Sequence, residues 1–167
     1  MSWKSLGVIL VGMSMAISAA DAAAQSYSRQ QLQEVYMKYL AAEGYRPEVS
    51  ELGNVRFRRE GRPYAILVDE KDPTLFRVVL TFAVDNRSPA LRERRLEALN
   101  TAALETRLIK TYINDKNEPA FTAEMFLIVP GDFKTHFPRI MRLFDTAYDK
   151  YSKKMAETPS ARKASDK

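Results

Sequence analysis

Leu32, Val35, Tyr36, Tyr39 and Leu40 recur at three- and four-residue intervals, the spacing that gathers side chains on one face of a helix. Ser28 with Gln31 three residues on has the form of a capping box. Gly44 suits the left-handed residue that ends a helix, so a first helix is predicted over about 28–43. From Tyr45 onward the period drops to two. Val49 reads as a short edge strand, because Pro47 has no amide hydrogen to give to a central ladder. Val55, Arg56, Phe57 and Arg58 alternate apolar with cationic, Glu60-Gly61 supplies a turn, and Tyr64, Ile66 and Val68 resume the alternation as the second arm of a hairpin. A turn cluster over 69–73 leads to a longer strand on which Phe76, Val78, Leu80 and Phe82 share a face. Ser88-Pro89 combines an N-cap with the ring suited to the first helical position, and Leu91, Leu96, Leu99 and Ala103 form the inward side of a second helix reaching about residue 105. Strands follow over 107–113 and 120–129, joined by the polar turn 114–117. The second ends in a run, 125–129, that is apolar on both faces, as in a central strand or one covered by a partner subunit. Phe133, Phe137, Ile140, Phe144, Ala147, Tyr148 and Tyr151 then trace a last helix with Asp132 available as its cap. Pro138 lies within that period, so the helix either kinks there or starts at Phe137. The predicted order α-β-β-β(-β)-α-β-β-α makes the chain α+β, an antiparallel sheet with helices packed on it.

The two ends carry different patterns. Lys4, an apolar run over 6–17 and the small residues Ala20-Asp21-Ala22-Ala23-Ala24 have the three-part form of a secretory signal peptide. The run is too short to span a bilayer, which takes about 20 apolar residues. The Ala-rich segment behind it favours cleavage over an uncleaved anchor. The expected division is a signal peptide over 1–24, an α+β domain over 25–155 and a solvated basic tail over 156–167, with the product periplasmic and without a stable membrane span after cleavage. Net charge is +5. Lys4 and Asp21 cancel within the leader, and 149–167 holds six cations against three anions. The C-terminal stretch 149–167 thus supplies +3 of the excess, and no nucleic-acid partner is expected.

Candidate chemistry is sparse. Cysteine is absent and histidine occurs once, at His136, which excludes disulfide scaffolds, thiolate nucleophiles and zinc sites built from several Cys or His. His136 has no Gly-x-Ser-x-Gly elbow to serve, and a surface or half-buried helix position accounts for it. Asp69, Glu70 and Asp72 lack the spacing of an EF-hand. Turn hydrogen bonding accounts for them and for 114–117. Asn86-Arg87-Ser88 has the form of a glycosylation triplet, but Ser88 is already used as a cap. No phosphate loop or dinucleotide fingerprint occurs in its required context. No catalytic residue, cofactor or metal is expected. Arg56, Arg58, Arg62 and Arg77 are the candidate contacts for an anion or partner, since a guanidinium fork suits carboxylate and phosphate. Met125, Leu127 and Val129 are the candidate apolar partner face. The mixed run Arg92-Glu93-Arg94-Arg95 reads as a solvated helix face.

The stretch Gly61-Arg62-Pro63-Tyr64 through Val68-Asp69-Glu70-Lys71-Asp72-Pro73-Thr74-Leu75-Phe76-Arg77, with Pro130-Gly131-Asp132-Phe133 and Phe137-Pro138, resembles the bacterial YbjN-domain family. The resemblance covers about 28–151. It implies a fold like that of type III secretion chaperones, small α+β proteins that commonly dimerise and bind polypeptides, and it brings no catalytic residues. Family members are described as sensory transduction regulators of the cytosol, and an export signal departs from that setting. The expected function is a non-enzymatic periplasmic interaction or chaperone-like module with a protein partner or a homodimer. The alternative is a binder of an anionic small molecule or envelope component through the arginine-rich sheet face. A hydrolase built on His136 ranks last.

Overall fold

The computed structural model describes residues 27–85 and 88–157. The expected signal peptide, the tail beyond Glu157 and the Asn86-Arg87 part of the triplet lie outside the described residues. The elements run α1 (Arg29–Ala42), β1 (Glu48–Val49), β2 (Val55–Arg59), β3 (Arg62–Leu67), β4 (Leu75–Thr81), α2 (Pro89–Glu105), β5 (Ile109–Ile113), β6 (Pro119–Phe126) and α3 (Phe133–Ala156). The fold is α+β, with one antiparallel sheet of order β1-β2-β3-β4-β6-β5. The first four strands form a meander. The chain then passes through α2 to the far edge at β5 and returns by a hairpin to place β6 against β4.

Local chemistry sets the helix ends. The Ser28 hydroxyl accepts from the Gln31 amide at 3.2 Å and Gln31 Oε1 accepts from the Ser28 amide at 2.8 Å, which closes the predicted capping box. Gly44, at φ +84°, ends α1, with its own amide bonded to the Ala41 carbonyl and the Tyr45 amide to that of Leu40, a left-handed termination of the kind glycine favours. Ser88 caps α2 through the Leu91 amide, with Pro89 in the first turn. A short 3-10 turn (Pro130–Asp132) leads into α3. The helix starts at Phe133 and carries Pro138 inside it, which decides between the two starts that the sequence left open. Asp132 makes no side-chain cap to α3; its carboxylate instead accepts from the Val129 amide at 3.2 Å.

The alternating residues of β2, β3 and β4 sort onto two faces, whereas β6, an interior strand, is buried on both over 119–123. Val55, Phe57, Tyr64, Ile66, Phe76, Val78, Leu80, Phe121 and Ala123 are buried together with Leu32, Tyr36 and Leu40 of α1, Ala98, Leu99 and Ala102 of α2, and Phe133, Phe137, Ile140 and Phe144 of α3. Aromatic rings stitch this layer: Tyr36 meets Phe133 edge-on at 5.0 Å, Tyr64 meets Phe144 at 5.4 Å, and Phe121 meets Tyr151 at 5.5 Å, the edge-to-face arrangement that ring quadrupoles prefer. The helices therefore bury their apolar stripes against one face of the sheet, and the other face is built from Arg56, Arg58, Pro63, Ala65, Leu67, Arg77, Val79, Thr81 and Glu124.

Several expectations need correction. The strand expected over 120–129 ends at Phe126. Beyond it the Leu127 amide donates to the Thr74 carbonyl at 2.9 Å, Leu127 is buried at 8%, and Ile128 is 90% exposed. β6 is an interior strand, as its two-sided apolar character implied, paired with β4 on one side and β5 on the other, but the chain leaves the sheet after Phe126, so 127–129 are not part of it. Leu96 is exposed, and α2 turns Ala98, Leu99 and Ala102 inward, so small residues let it approach closely. Arg95, taken from the sequence as part of a solvated run, is 2% exposed. Its guanidinium donates to the Asp85 carbonyl at 2.7 Å and to that of Asn117 at 3.4 Å. Phe82 lies just past β4, stacked on Phe121.

Candidate binding site on the bare sheet face

Register decides which arginines meet. Arg56 and Arg58 point to the bare face from β2, opposite Ala65 and Pro63 of β3. Arg77 lies on the same face but two strands away, and it is committed elsewhere: its Nε is 3.0 Å from Glu124 Oε1. That approach is off the N–H direction, so the contact is ionic and not an aligned hydrogen bond. Lys110 of β5 reaches the other oxygen of Glu124 at 2.6 Å. The Lys110 hydrogen bond above all, and then the charges of Arg77 and Lys110, hold the Glu124 carboxyl below the ordinary glutamate range against the opposing effect of burial. Arg62 falls on the helix-covered face. With Arg59 it brackets Asp145 of α3, the two guanidinium groups lying 3.2 and 2.5 Å from the same carboxylate oxygen. The Arg62 guanidinium also sits 4.7 Å above the Tyr148 ring, within cation–π range. Arg62 is thus a fastening between the β2–β3 hairpin and α3, and the four sequence-selected arginines divide among three environments.

The apolar candidates divide as well. Met125 is half-buried against the core, Leu127 is buried, and Val129 is exposed. The large side chains left in the open at this end of the sheet are Phe126 and Ile128, their alternating neighbours.

What the bare face does gather is a groove of about 450 Å³ where β1 and the 50–54 turn rise beside β2. Its floor is Pro63, Ala65, Leu67 and Val79, and its wall carries Arg46, Arg56, Arg58 and the exposed Leu52. Arg46 and Arg56 form no ion pair among the described residues. Arg58 donates to the Gly61 carbonyl at 3.1 Å, which fixes its guanidinium near the hairpin turn. Arg46 and Leu52 escaped sequence reasoning because they belong to no periodic run; only β1 pairing with β2 brings them to the groove. Chemically, the groove offers three guanidinium groups around an apolar strip, with the carboxylate of Glu48 on β1 opposite Arg56.

His136 is exposed on α3 and makes no hydrogen bond among the described residues. The Asp69 carboxylate accepts from the Lys71 amide at 3.0 Å and that of Asp72 from the Thr74 hydroxyl at 2.9 Å, so these side chains build their own turn. Asn114 Oδ1 likewise accepts from the amides of Lys116 and Glu118. Among the described residues no group of three or more His, Cys, Asp or Glu is placed to hold a metal ion, and no helix is long and apolar enough to cross a membrane. No family model matches the chain, and comparison with curated proteins and with solved structures likewise finds no match.

Proposed function

We propose that this chain is an exported, non-enzymatic interaction module that holds an extended polypeptide segment bearing acidic and apolar side chains in the bare-face groove. The single observation that carries the reading is the pairing of an apolar floor, Pro63, Ala65, Leu67 and Val79, with three wall arginines, Arg46, Arg56 and Arg58, against the one lining carboxylate among the described residues, that of Glu48, with which none of them forms an ion pair. An extended segment presents alternate side chains to a surface, so one set reaches the floor while acidic neighbours meet the guanidinium groups. The resemblance to the YbjN-domain family and its chaperone-like fold supports a polypeptide ligand, and the signal-peptide pattern supports a periplasmic setting. The unpaired arginines by themselves also favour a second reading, a small anionic molecule or envelope head group in the same groove.

The test is fluorescence anisotropy on the full chain with a labelled peptide of alternating Glu and Val, its Lys–Val counterpart, and inorganic phosphate as competitor. The acidic peptide binds, salt weakens it, and Arg46→Glu with Arg56→Glu lowers its affinity at least tenfold. Equal binding of both peptides, or an unchanged affinity in the charge-reversed variant, contradicts the proposal. Displacement by phosphate at low concentration favours the small-anion reading instead.

A further inference from the structure

A second cavity lies on the helix side of the sheet and shares no residue with the groove. It begins with a backbone anomaly. Between the end of α2 and the start of β5 the chain turns through Leu108, at φ +69°, a left-handed conformation that is strained for a non-glycine L-residue. Glycine would take that position without the penalty, yet a leucine stands there, 49% exposed. Its side chain does line something: a cavity of about 450 Å³ that it shares with Met125 of β6 and with Ile140 and Leu143 of α3. His136 and Arg139 line the same cavity from α3, one helical turn from these apolar residues, and Arg107 lines it from the residue before Leu108. All three polar side chains are on exposed residues, whereas Ile140 is buried. Neither Arg107 nor Arg139 forms an ion pair among the described residues. The cavity therefore has an apolar floor and a cationic rim, in the size range of small-molecule sites, about 300–1,000 Å³.

We propose that this cavity binds a single-chain anionic amphiphile, whose alkyl chain covers Leu108, Met125, Ile140 and Leu143 and whose carboxylate or phosphate head is held by Arg107 and Arg139. A guanidinium pair suits either head group bidentately. The strain at Leu108 is then the cost of placing an apolar side chain at the mouth of the site. The proposal does not depend on the function of the groove.

The test is calorimetric titration and thermal unfolding of the full chain with decanoate and decyl phosphate, each below its micelle concentration. Acetate and inorganic phosphate serve as heads without a chain, and decyl glucoside and decyltrimethylammonium as chains without an anion. Saturable one-to-one binding of decanoate or decyl phosphate with a raised Tm is expected, and a preference between them identifies the head group. Arg107→Gln with Arg139→Gln weakens that binding at least tenfold and leaves decyl glucoside unchanged. Leu108→Gly weakens every chain-bearing ligand by about fivefold while the protein stays folded. Arg139→Gln alone, at an exposed position of the rim, gives a partial loss in a minimally altered chain. Absence of saturable binding, equal affinity for the cationic amphiphile, or undiminished binding in the double variant overturns the proposal.

Discussion

Arg95 shows how far one side chain can depart from its surroundings in the sequence. It stands in a run of charges on α2, yet it is buried, and its guanidinium closes the carbonyls of Asp85 and Asn117, which belong to segments before and after the helix. Hydrogen bonds to a charged group contribute about 1.5–3 kcal/mol. Arg95→Met keeps the apolar stem and removes the donors, so it is expected to destabilise the fold by about 2–3 kcal/mol in urea unfolding. Arg92→Met, on the exposed side of the same helix, should change stability by no more than about 0.5 kcal/mol. Nothing in the charge pattern distinguishes Arg95 from Arg92 or Arg94. The difference is made by the two loops that fold over it, and loops have no period to read. By contrast, the Ser28–Gln31 box and the left-handed Gly44 were legible, because each depends on neighbours within a few residues.

At the level of elements, side-chain alternation carried the reading well wherever one face of a strand is buried and the other is not, as in β2, β3 and β4. It failed at 125–129, where the chain passes from sheet to helix and successive side chains no longer have two fixed environments. That β6 is an interior strand agrees with its two-sided apolar character, but which strands flank it, β4 and β5, has no local signal. One consequence of that placement is the rung Arg77–Glu124–Lys110 across three strands. Glu124 has a lowered pKa, so the folded state binds its proton less readily than the unfolded chain does. The stability this contributes is present above the ordinary glutamate range, near pH 4.5, and is lost as the pH falls through and below it. Glu124→Gln is therefore expected to lower stability at pH 7 and to converge on the parent protein as the pH falls below the ordinary glutamate range, as read by urea midpoints from neutral to acid pH. A constant difference at all pH values would show that packing, and not charge, is what the substitution removes. The Arg59–Asp145–Arg62 cluster does a related task between layers, tying the β2–β3 hairpin to α3.

Among the described residues the helices lie on one side of the sheet, and no helix covers the other. The α+β class and the order of elements followed from periodicity alone. The grouping of the arginines did not, because strand register put Arg62 on the helix side and gave Arg77 a carboxylate, while Arg46 joined Arg56 and Arg58 at the groove. A binding role for the bare face is accordingly a claim about location, and amide chemical shifts read location directly. The most direct test follows the backbone amide resonances of the isotope-labelled full chain while the acidic Glu–Val peptide is added. The account predicts that the shifts change at Arg46, Arg56, Arg58, Ala65 and Val79, with α3 and the Arg107–Leu108 corner unaffected. Changes confined to the helix side, or no changes at saturating peptide, would contradict it.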